Sequence, residues 1–308
     1  MWHFKQEQLG FYLQDQLTID KWTFIGGARY DHVKTTNEVE SSGKTEKRND
    51  YATTLRLGGL YAFDVGLSPY VSYSESFQPP SSLGAADFKL NDPMEGQQLE
   101  VGLKYQIPDT RTLFTASVFR TEQKNVVEML PDRSTRQTGK VRVNGLELEA
   151  KTSFDNGFDF IANSTIMSSR ILSSDDDMDN QGNRMANTPK FSAAMWADYT
   201  QQDGPLVGLG GGLGVRYMGT VHATNKNELE SEVYKDEVIS DKVPYYIVAD
   251  AALHYDLAQV PPSLENFQVA FNVQNLFDKK YVAQCGGAQY CNYGYGREFT
   301  ASVNYHWD

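Results

Sequence analysis

The segment from Arg297 to Trp307 alternates between apolar and polar side chains along its length. One set is Phe299, Ala301, Val303, Tyr305 and Trp307, and the other is Thr300, Ser302, Asn304 and His306. Because successive side chains of a β-strand point to opposite faces, such a strand is apolar on one face only. That face needs a second layer in water, but in a membrane it can contact lipid while the polar face lines a lumen. The same period recurs along the chain and predicts an all-β fold, a transmembrane antiparallel β-barrel.

The composition agrees with a barrel that crosses a membrane. Mean hydropathy is −0.51, and no apolar run approaches the roughly 18 residues of a membrane-spanning helix, which excludes a helical membrane protein. The 18 Tyr and 16 Phe suit aromatic girdles at the membrane surfaces. A soluble β-sandwich or propeller is the alternative. The net charge of −12 argues against nucleic acid and against an anionic membrane surface as partners.

About thirteen strands are predicted, joined alternately by short turns and long loops. The strands are 9–18, 22–32, 51–62, 67–77, 97–106, 111–121, 141–153, 158–168, 189–199, 207–217, 245–257, 267–273 and 297–307. The predicted long loops are Lys34–Asp50, Gln78–Glu95, Glu122–Lys140, Ser169–Ala186, Met218–Lys242 and Asn275–Gly296. Short turns at one end and long loops at the other are typical of bacterial barrels, with the loops outside the cell. A soluble sandwich rarely needs loops of about 20 residues at every second connection.

Strand number and chain start both suggest a piece of a larger barrel. With thirteen strands the first and last run in the same direction, so they cannot close a barrel of antiparallel neighbours, and bacterial single-chain barrels have even strand numbers. We therefore expect an odd number of strands to be missing on the N-terminal side. Residues Met1 to Gln6 lack the basic start and apolar core of a signal peptide, so we expect a mature piece or a fragment.

Several segments resemble the C-terminal half of TonB-dependent ferric-siderophore receptors, and their order and spacing extend over nearly the whole chain. The most specific is Asn272-Val273-Gln274-Asn275-Leu276-Phe277-Asp278-Lys279-Lys280-Tyr281. The others are Gly10–Gln16, Gly26–Asp31, Ser68–Phe77, Gly96–Tyr105 and Val143–Glu149. The two-cysteine last loop resembles the hydroxamate, ferrichrome-like subgroup in particular.

The resemblance implies a barrel of about 22 strands closed by an N-terminal plug domain, which takes up iron chelates with energy delivered through TonB. Residues 1–308 then form the C-terminal part of this barrel, without the plug, the TonB-contacting segment and about nine strands. The implied partners are a ferric siderophore, TonB through the missing N-terminal part, and lipid of a Gram-negative outer membrane. The full-length protein is expected to be a monomer without a cofactor. Asp308 follows the aromatic residue on which the family usually ends, which is expected to weaken the assembly signal.

Candidate site residues lie in the last loop. Cys285 and Cys291 are an even pair in a protein expected to be exported, which favours a disulfide over free thiols or a metal pair. Tyr290, Tyr293 and Tyr295 flank it and are candidate siderophore contacts; packing within the loop or an aromatic girdle is the alternative. Phe77 is a further candidate contact.

Other polar clusters are interpreted structurally. Asp175–Asp179 lacks the ligand spacing of an EF-hand and is interpreted as a solvated loop. The glycines between Gly208 and Gly214 are interpreted as lumen-facing positions against the plug rather than a phosphate-binding loop. Asp250, Glu147 and Glu149 are expected to face the lumen and form salt bridges to the plug. We find no catalytic pair, no nucleophile elbow and no metal-binding histidine spacing, so no enzymatic activity is expected.

Three function classes remain open. The first is an energised transporter for a ferric chelate. Such a barrel should conduct no ions with the plug in place and many without it, which distinguishes it from the second class. The second is a passive porin, and the third is a soluble β-protein that binds a partner through its loops. The acidic stretches Asp175–Asp179 and Glu228–Glu237 would repel a highly anionic ferric tri-catecholate at the mouth, which favours a neutral or cationic ferric hydroxamate.

Overall fold

A single antiparallel sheet dominates the chain. The computed structural model describes residues 2–39, 43–80, 90–129, 135–173, 180–227, 241–257, 266–285 and 291–307. The sheet holds thirteen strands, joined in chain order: β1 (Trp2–Ile19), β2 (Trp22–Val39), β3 (Lys44–Tyr61), β4 (Leu67–Gln78), β5 (Met94–Gln106), β6 (Leu113–Met129), β7 (Thr135–Ser153), β8 (Phe158–Ser173), β9 (Phe191–Thr200), β10 (Leu209–Met218), β13 (Tyr246–Asp256), β14 (Phe267–Gln274) and β17 (Glu298–Tyr305). The prediction of an all-β fold is confirmed.

Two short hairpins complete the topology. They are β11 (Val221–His222) with β12 (Lys242–Val243), and β15 (Val282–Cys285) with β16 (Cys291–Tyr293). Both lie in connections at the end of the sheet opposite the short turns. Within the described ranges, no helix is long and apolar enough to cross a membrane.

One face of the sheet is apolar and the other polar. The registers align Leu17 with Phe24 and Val71 with Val101, and Val101 in turn pairs with Val118, so apolar side chains share one face across neighbouring strands. All five are exposed. A continuous band of exposed apolar side chains marks a surface that meets a partner or a membrane, and here it forms the lipid-facing side expected of a barrel wall.

Aromatic side chains gather at both ends of the apolar band. At the short-turn end Trp22 packs against Phe24 and Tyr61, with ring centroids 5.6 and 4.8 Å apart. At the loop end His32 stacks on Tyr51 at 4.6 Å. Two such rings of amphipathic side chains are typical of the two membrane–water interfaces, and they set the height of the spanning segment.

The short turns use backbone conformations that few residues tolerate. Asp20 and Asp109 adopt positive φ values of 52° and 57°, which Asp accommodates better than most residues. Gly157 has a φ of 90°, and a Cβ placed on it would lie 2.1 Å from the Thr200 carbonyl oxygen. Glycine is therefore required at that turn on both conformational and steric grounds.

Two predicted loops are instead strand extensions. The β2–β3 ladder continues without a break from Trp22 opposite Tyr61 to Val39 opposite Lys44, so the predicted loop Lys34–Asp50 is wrong for most of its length. The β6–β7 ladder likewise reaches Met129 opposite Thr135. The physical reason is visible on β2, where Val33, Thr35 and Asn37 are buried on one face. The two-residue alternation continues there, although most of its residues are polar.

The two terminal strands are the edges of the sheet. Of the strands that the structure describes, β1 pairs only with β2 and β17 only with β14. Both run from the loop end to the turn end, as the alternating connections predicted. This sheet is open, because antiparallel pairing between two strands of the same direction is impossible.

Candidate functional site

Three connections at the loop end pack into one unit, which we call the loop cluster: residues 180–190 between β8 and β9, residues 219–227 and 241–245 between β10 and β13, and residues 275–297 between β14 and β17, as far as they are described. Its core consists of Val221, Ala223, Val243 and Cys285, with Val282 packed against them. Each of the four is at most 6 % exposed. The loops therefore pack around a small hydrophobic core of their own.

The disulfide joins the last residue of β15 to the first residue of β16. Cys285 and Cys291 are directly opposite in the register and are bonded to each other, as predicted. Asn187, from a different loop, holds this hairpin with two hydrogen bonds. Its Nδ2 donates to the Cys285 carbonyl oxygen at 2.9 Å, and the Cys285 backbone N–H donates to its Oδ1 at 3.0 Å.

Asn275 connects the loop cluster to the barrel wall. Its side chain is 3 % exposed, and its Nδ2 donates to the carbonyl oxygens of Lys279 and Tyr295 at 2.9 and 3.0 Å. Its backbone N–H donates to Asp250 Oδ1 at 2.9 Å. Asp250 also pairs with Arg216, whose Nε and Nη2 donate at 2.7 and 3.0 Å. Asp250 thus pairs with a side chain of a neighbouring strand, and the plug contact expected from the sequence stays a prediction.

An aromatic pair lies beneath the disulfide hairpin. The rings of Tyr246 and Tyr281 have centroids 4.2 Å apart. Gly294 makes room for the second ring, because a Cβ there would lie 2.0 Å from Tyr281 Cζ. The Gly294 N–H also donates to the Tyr281 carbonyl oxygen at 2.9 Å. Sequence reasoning did not single out Tyr246 and Tyr281 as site residues; the only available signal was that Tyr281 ends the most specific motif.

The predicted contact residues occupy different places. Tyr293 and Tyr295 are among the most exposed aromatic side chains of the loop cluster, at 76 % and 79 %. Tyr290 lies outside the described residues. Phe77, at the end of β4, lies opposite Glu95 on the apolar face, far along the sheet from β16. The structure therefore brings the two described tyrosines together near the disulfide and does not bring Phe77 to them.

The glycine-rich strand β10 supports large side chains on the polar face. A Cβ on Gly212 would lie 2.4 Å from Trp196 Cζ2, and one on Gly214 would lie 2.4 Å from Trp196 Cε3. At Gly210 the same atom would meet His254 Cε1 at 2.2 Å. The glycines are thus covered by Trp196 and His254 of the flanking strands. Packing of the plug against this face, as expected from the sequence, stays a prediction.

Two histidines form pairs with aspartates. His222 Nδ1 lies 2.6 Å from Asp241 Oδ2, and His254 Nε2 lies 2.9 Å from Asp198 Oδ1. Glu147 and Glu149 lie on the polar face of β7, as expected from the register. No group of three potential metal ligands occurs in the part of the chain that the structure describes. The acidic segment Asp175–Asp179 lies outside it.

Comparison with known proteins gives one consistent family. Residues 2–276 match the family described as TonB dependent receptor-like, beta-barrel. The chain is 37% identical to the ferrichrome outer membrane transporter/phage receptor of Escherichia coli K12, over 98% of this chain and 38% of the relative. It is 36% identical to the ferrioxamine receptor of Yersinia enterocolitica, over 98% and 40%. The crystal structure of the siderophore receptor PiuA from Acinetobacter baumannii superposes with a TM-score of 0.74 at 25% identity, covering 99% of this chain and 44% of that one. The chain thus spans about two fifths of the length of these curated relatives.

Proposed function

Because the chain belongs to the TonB-dependent receptor-like β-barrel family, we propose that it forms thirteen strands of an outer-membrane receptor for a ferric siderophore. Uptake draws its energy from TonB, and the siderophore is of the hydroxamate type. The plug and the remaining strands belong to the rest of that receptor. The observation that carries this proposal is the 37% identity over nearly the whole chain to a ferrichrome transporter.

The names of the relatives support the hydroxamate class. Both ferrichrome and ferrioxamine are hydroxamate siderophores, and the receptors for them match over 98% of the chain. Charge in the sequence points the same way, since Glu228–Glu237 is acidic and disfavours an anionic tri-catecholate complex. This segment and Asp175–Asp179 lie outside the described residues, so the charge argument rests on sequence alone.

The loop cluster supplies a surface suited to a ligand of this kind. Tyr293 and Tyr295 expose most of their ring surface at the loop end of the barrel, and an aromatic ring with a hydroxyl group offers both apolar contact and a hydrogen bond. The disulfide and the Asn187 clamp hold the strand that carries Tyr293. We assign Tyr290, Tyr293 and Tyr295 to the ligand contact, with Cys285–Cys291 as its support.

Radioactive iron uptake by cells that express the full-length receptor tests the substrate class. Ferrichrome, ferrioxamine B and enterobactin are compared, with and without a functional TonB. We expect TonB-dependent uptake from one of the hydroxamates and none from enterobactin. Uptake from iron–enterobactin alone contradicts the substrate class, and uptake independent of TonB contradicts the energised mechanism.

A triple variant, Tyr290→Ala, Tyr293→Ala and Tyr295→Ala, tests the contact residues separately. We expect the hydroxamate dissociation constant to rise about tenfold or more, since a well-packed aromatic contact contributes on the order of 1–2 kcal/mol or more. Phe277→Ala is the matched control, because Phe277 is 77 % exposed in the same connection but lies outside the disulfide hairpin. Unchanged affinity in the triple variant refutes the assignment while leaving the receptor function intact.

A further inference from the structure

The wall formed by the sheet splits between β3 and β4 at the loop end. The β3–β4 ladder is short and involves β3 only from Arg56 to Leu60. Beyond it the two strands stay in different hairpins: β3 remains paired with β2 as far as Lys44, and β4 remains paired with β5 as far as Gln78. Residues 44–55 of β3 therefore have a strand partner on one side only, although β3 lies inside the sheet.

The backbone of this edge faces the split with every second residue. The Leu55 N–H donates to Glu75 Oε2 of β4 at 3.0 Å, so the odd-numbered residues of β3 direct their N–H and C=O groups away from β2. Beyond Leu55 these residues are Thr53, Tyr51, Asn49, Lys47 and Thr45. Their side chains are exposed, and none of their backbone groups bonds to another described residue on that side. We call these five residues the open edge.

The chain after β4 turns away from the open edge. Pro79 and Pro80 follow the last residue of β4, and proline has no N–H to donate to a ladder. Pro80 is buried, and its carbonyl oxygen accepts a 3.1 Å hydrogen bond from Gln6 Nε2 of β1. The sequence itself therefore prevents β4 from extending along β3.

The split begins at the row where charged side chains appear on the outer face. The last apolar row beside it contains Leu57 and Leu99, which are 52 % and 50 % exposed. The next row toward the loops contains Glu75, Gln97 and Glu122, which lie opposite one another in the registers. Unpaired backbone groups are costly in lipid and are solvated in water. The wall thus opens only beyond the apolar band, at the end that faces the exterior in bacterial barrels.

A cleft of about 310 Å³ occupies the split. Tyr51 and Thr53 of β3 line one side, and Glu75 and Phe77 of β4 line the other. On the opposite, polar face of the sheet, the connection before β5 crosses the split, since Arg48 Nη1 donates to Asp92 Oδ1 at 2.7 Å. A segment that enters the cleft therefore approaches the open edge from the outer face.

From this geometry we propose that β3 binds an extended polypeptide segment of an extracellular partner, which adds to residues 45–53 as a further strand. Backbone donors and acceptors that recur every two residues are matched by another extended chain, and exposed sheet edges bind peptides in this way. The proposal goes beyond siderophore uptake and rests on the proposed function only for its outer-membrane setting.

The side chains of the open edge specify the partner. Residues directly opposite each other in an antiparallel pair interact, and opposite charges and aromatic or β-branched pairs are favourable. The partner should therefore carry an acidic residue opposite Lys47 and aromatic or β-branched residues opposite Tyr51 and Thr53. Asp50, between them, is 8 % exposed, and its Oδ2 has no donor among the described residues, which favours a hydroxyl group opposite it.

Hydrogen exchange of the full-length receptor in nanodiscs tests the open edge itself. Its five N–H groups should exchange about a hundredfold or more faster than those of Glu46, Arg48 and Ala52, which point toward β2 within the ladder. Uniformly slow exchange would show that the receptor's own chain covers the edge. Protection that rises with receptor concentration would show a second copy of the receptor there. Either result overturns the proposal.

A synthetic peptide with blocked ends, long enough to span residues 45–53, is the probe for binding. From its N-terminus, Val, Phe, Asn, Glu and Thr alternate with Thr, so that Val lies opposite Thr53 and Glu opposite Lys47. We expect saturable binding that slows exchange at the open edge. N-methylation of Phe and Glu removes two bonds to β3 and should weaken binding about twentyfold. N-methylation of two intervening Thr residues, whose N–H groups point away from β3, is the matched control and should change little.

Two receptor variants test the same contact from the other side. Thr53→Pro removes one N–H of the open edge without a bond to β2 being lost, and should weaken peptide binding about fivefold. Thr53→Val keeps that N–H and is its control. Lys47→Glu should weaken binding about threefold, and a peptide with Lys in place of Glu should restore it.

Absence of saturable peptide binding overturns the proposal, and so do equal effects of the two N-methylation patterns or of Thr53→Pro and Thr53→Val. Hydroxamate uptake and heat-modifiable migration in gels should be unchanged in all of these variants, which shows that the barrel is folded. Because siderophore uptake is measured independently of peptide binding, the two proposals fail separately.

Discussion

Asn187 and Cys285 are 98 positions apart and exchange two hydrogen bonds, one in each direction, at 2.9 and 3.0 Å. This contact joins the connection after β8 to the disulfide hairpin after β14. We predict that Asn187→Ala leaves the barrel folded but loosens the hairpin, because two backbone groups lose their partners at about 1–3 kcal/mol each. The measurement is the rate of disulfide reduction by dithiothreitol, which should rise at least tenfold. Thr188→Ala, next to it in sequence, is the control and should leave the rate unchanged.

A comparison of Gly157 with Gly204 distinguishes two costs of adding a side chain in a turn, backbone strain and steric overlap. Both have positive φ values, 90° and 85°, but only Gly157 has a neighbouring oxygen, at 2.1 Å from the added Cβ; nothing lies within 4 Å at Gly204. Gly204→Ala should cost about 1 kcal/mol, from backbone strain alone. Gly157→Ala should cost at least twice as much. Urea unfolding in micelles measures both, and equal costs would contradict the steric argument.

Glu122 makes the stability of the outer rim dependent on pH. Hydrogen bonds from Lys140 and then Arg142 lower the pKa of Glu122 from 4.5 to about 2. The folded state therefore binds this proton more weakly than the unfolded state, so the stabilisation is complete above about pH 4.5 and is lost as the pH falls towards 2. Glu122→Gln should be less stable than the parent protein at pH 7, and the difference should shrink below pH 4.5. A difference independent of pH would show that the carboxylate charge contributes nothing.

Labelling of intact cells tests the orientation of the sheet. The antiparallel ladders place Gly43 and Asn156 at opposite ends of the sheet. A cysteine at Gly43 should therefore react with a membrane-impermeant maleimide, whereas one at Asn156 should not. The native cysteines do not interfere, since Cys285 and Cys291 are bonded to each other. Labelling of the Asn156 position alone would reverse the assignment.

The open edges of the sheet predict how these thirteen strands behave when they are expressed alone. β1 has 18 residues and pairs only with β2 among the described strands. Unsatisfied backbone groups in lipid cost several kcal/mol each. We expect no conducting, heat-resistant barrel from this segment. A stable monomer with heat-modifiable migration and single-channel conductance would contradict this expectation, because it would show that the backbone groups of β1 and β17 find other hydrogen-bond partners.

Strand existence was predictable because the period of two is a local property of the sequence. Its limits appear at Thr35 and Asn37, polar residues that continue the alternation and were assigned to a loop. The disulfide was predictable from cysteine number. The Asn187 clamp and the Tyr281 ring over Gly294 were not, because they depend on which distant connections meet in space. The cover of Trp196 over Gly212 and Gly214 was missed for the same reason, although the face of the glycines was correct.

The β2–β3 ladder is longer than a membrane requires. Each of its strands has 18 residues, which gives a length of about 60 Å at roughly 3.3 Å per residue. At a tilt of about 40° such a strand rises about 45 Å along the barrel axis, whereas the apolar band of an outer-membrane barrel is about 25 Å tall. About 20 Å of the paired strands therefore extends beyond the lipid as a rigid two-stranded ladder. Its amide hydrogens should exchange with solvent as slowly as those inside the membrane, and a molecule arriving from outside meets a fixed wall on this side of the entrance before it reaches the lumen.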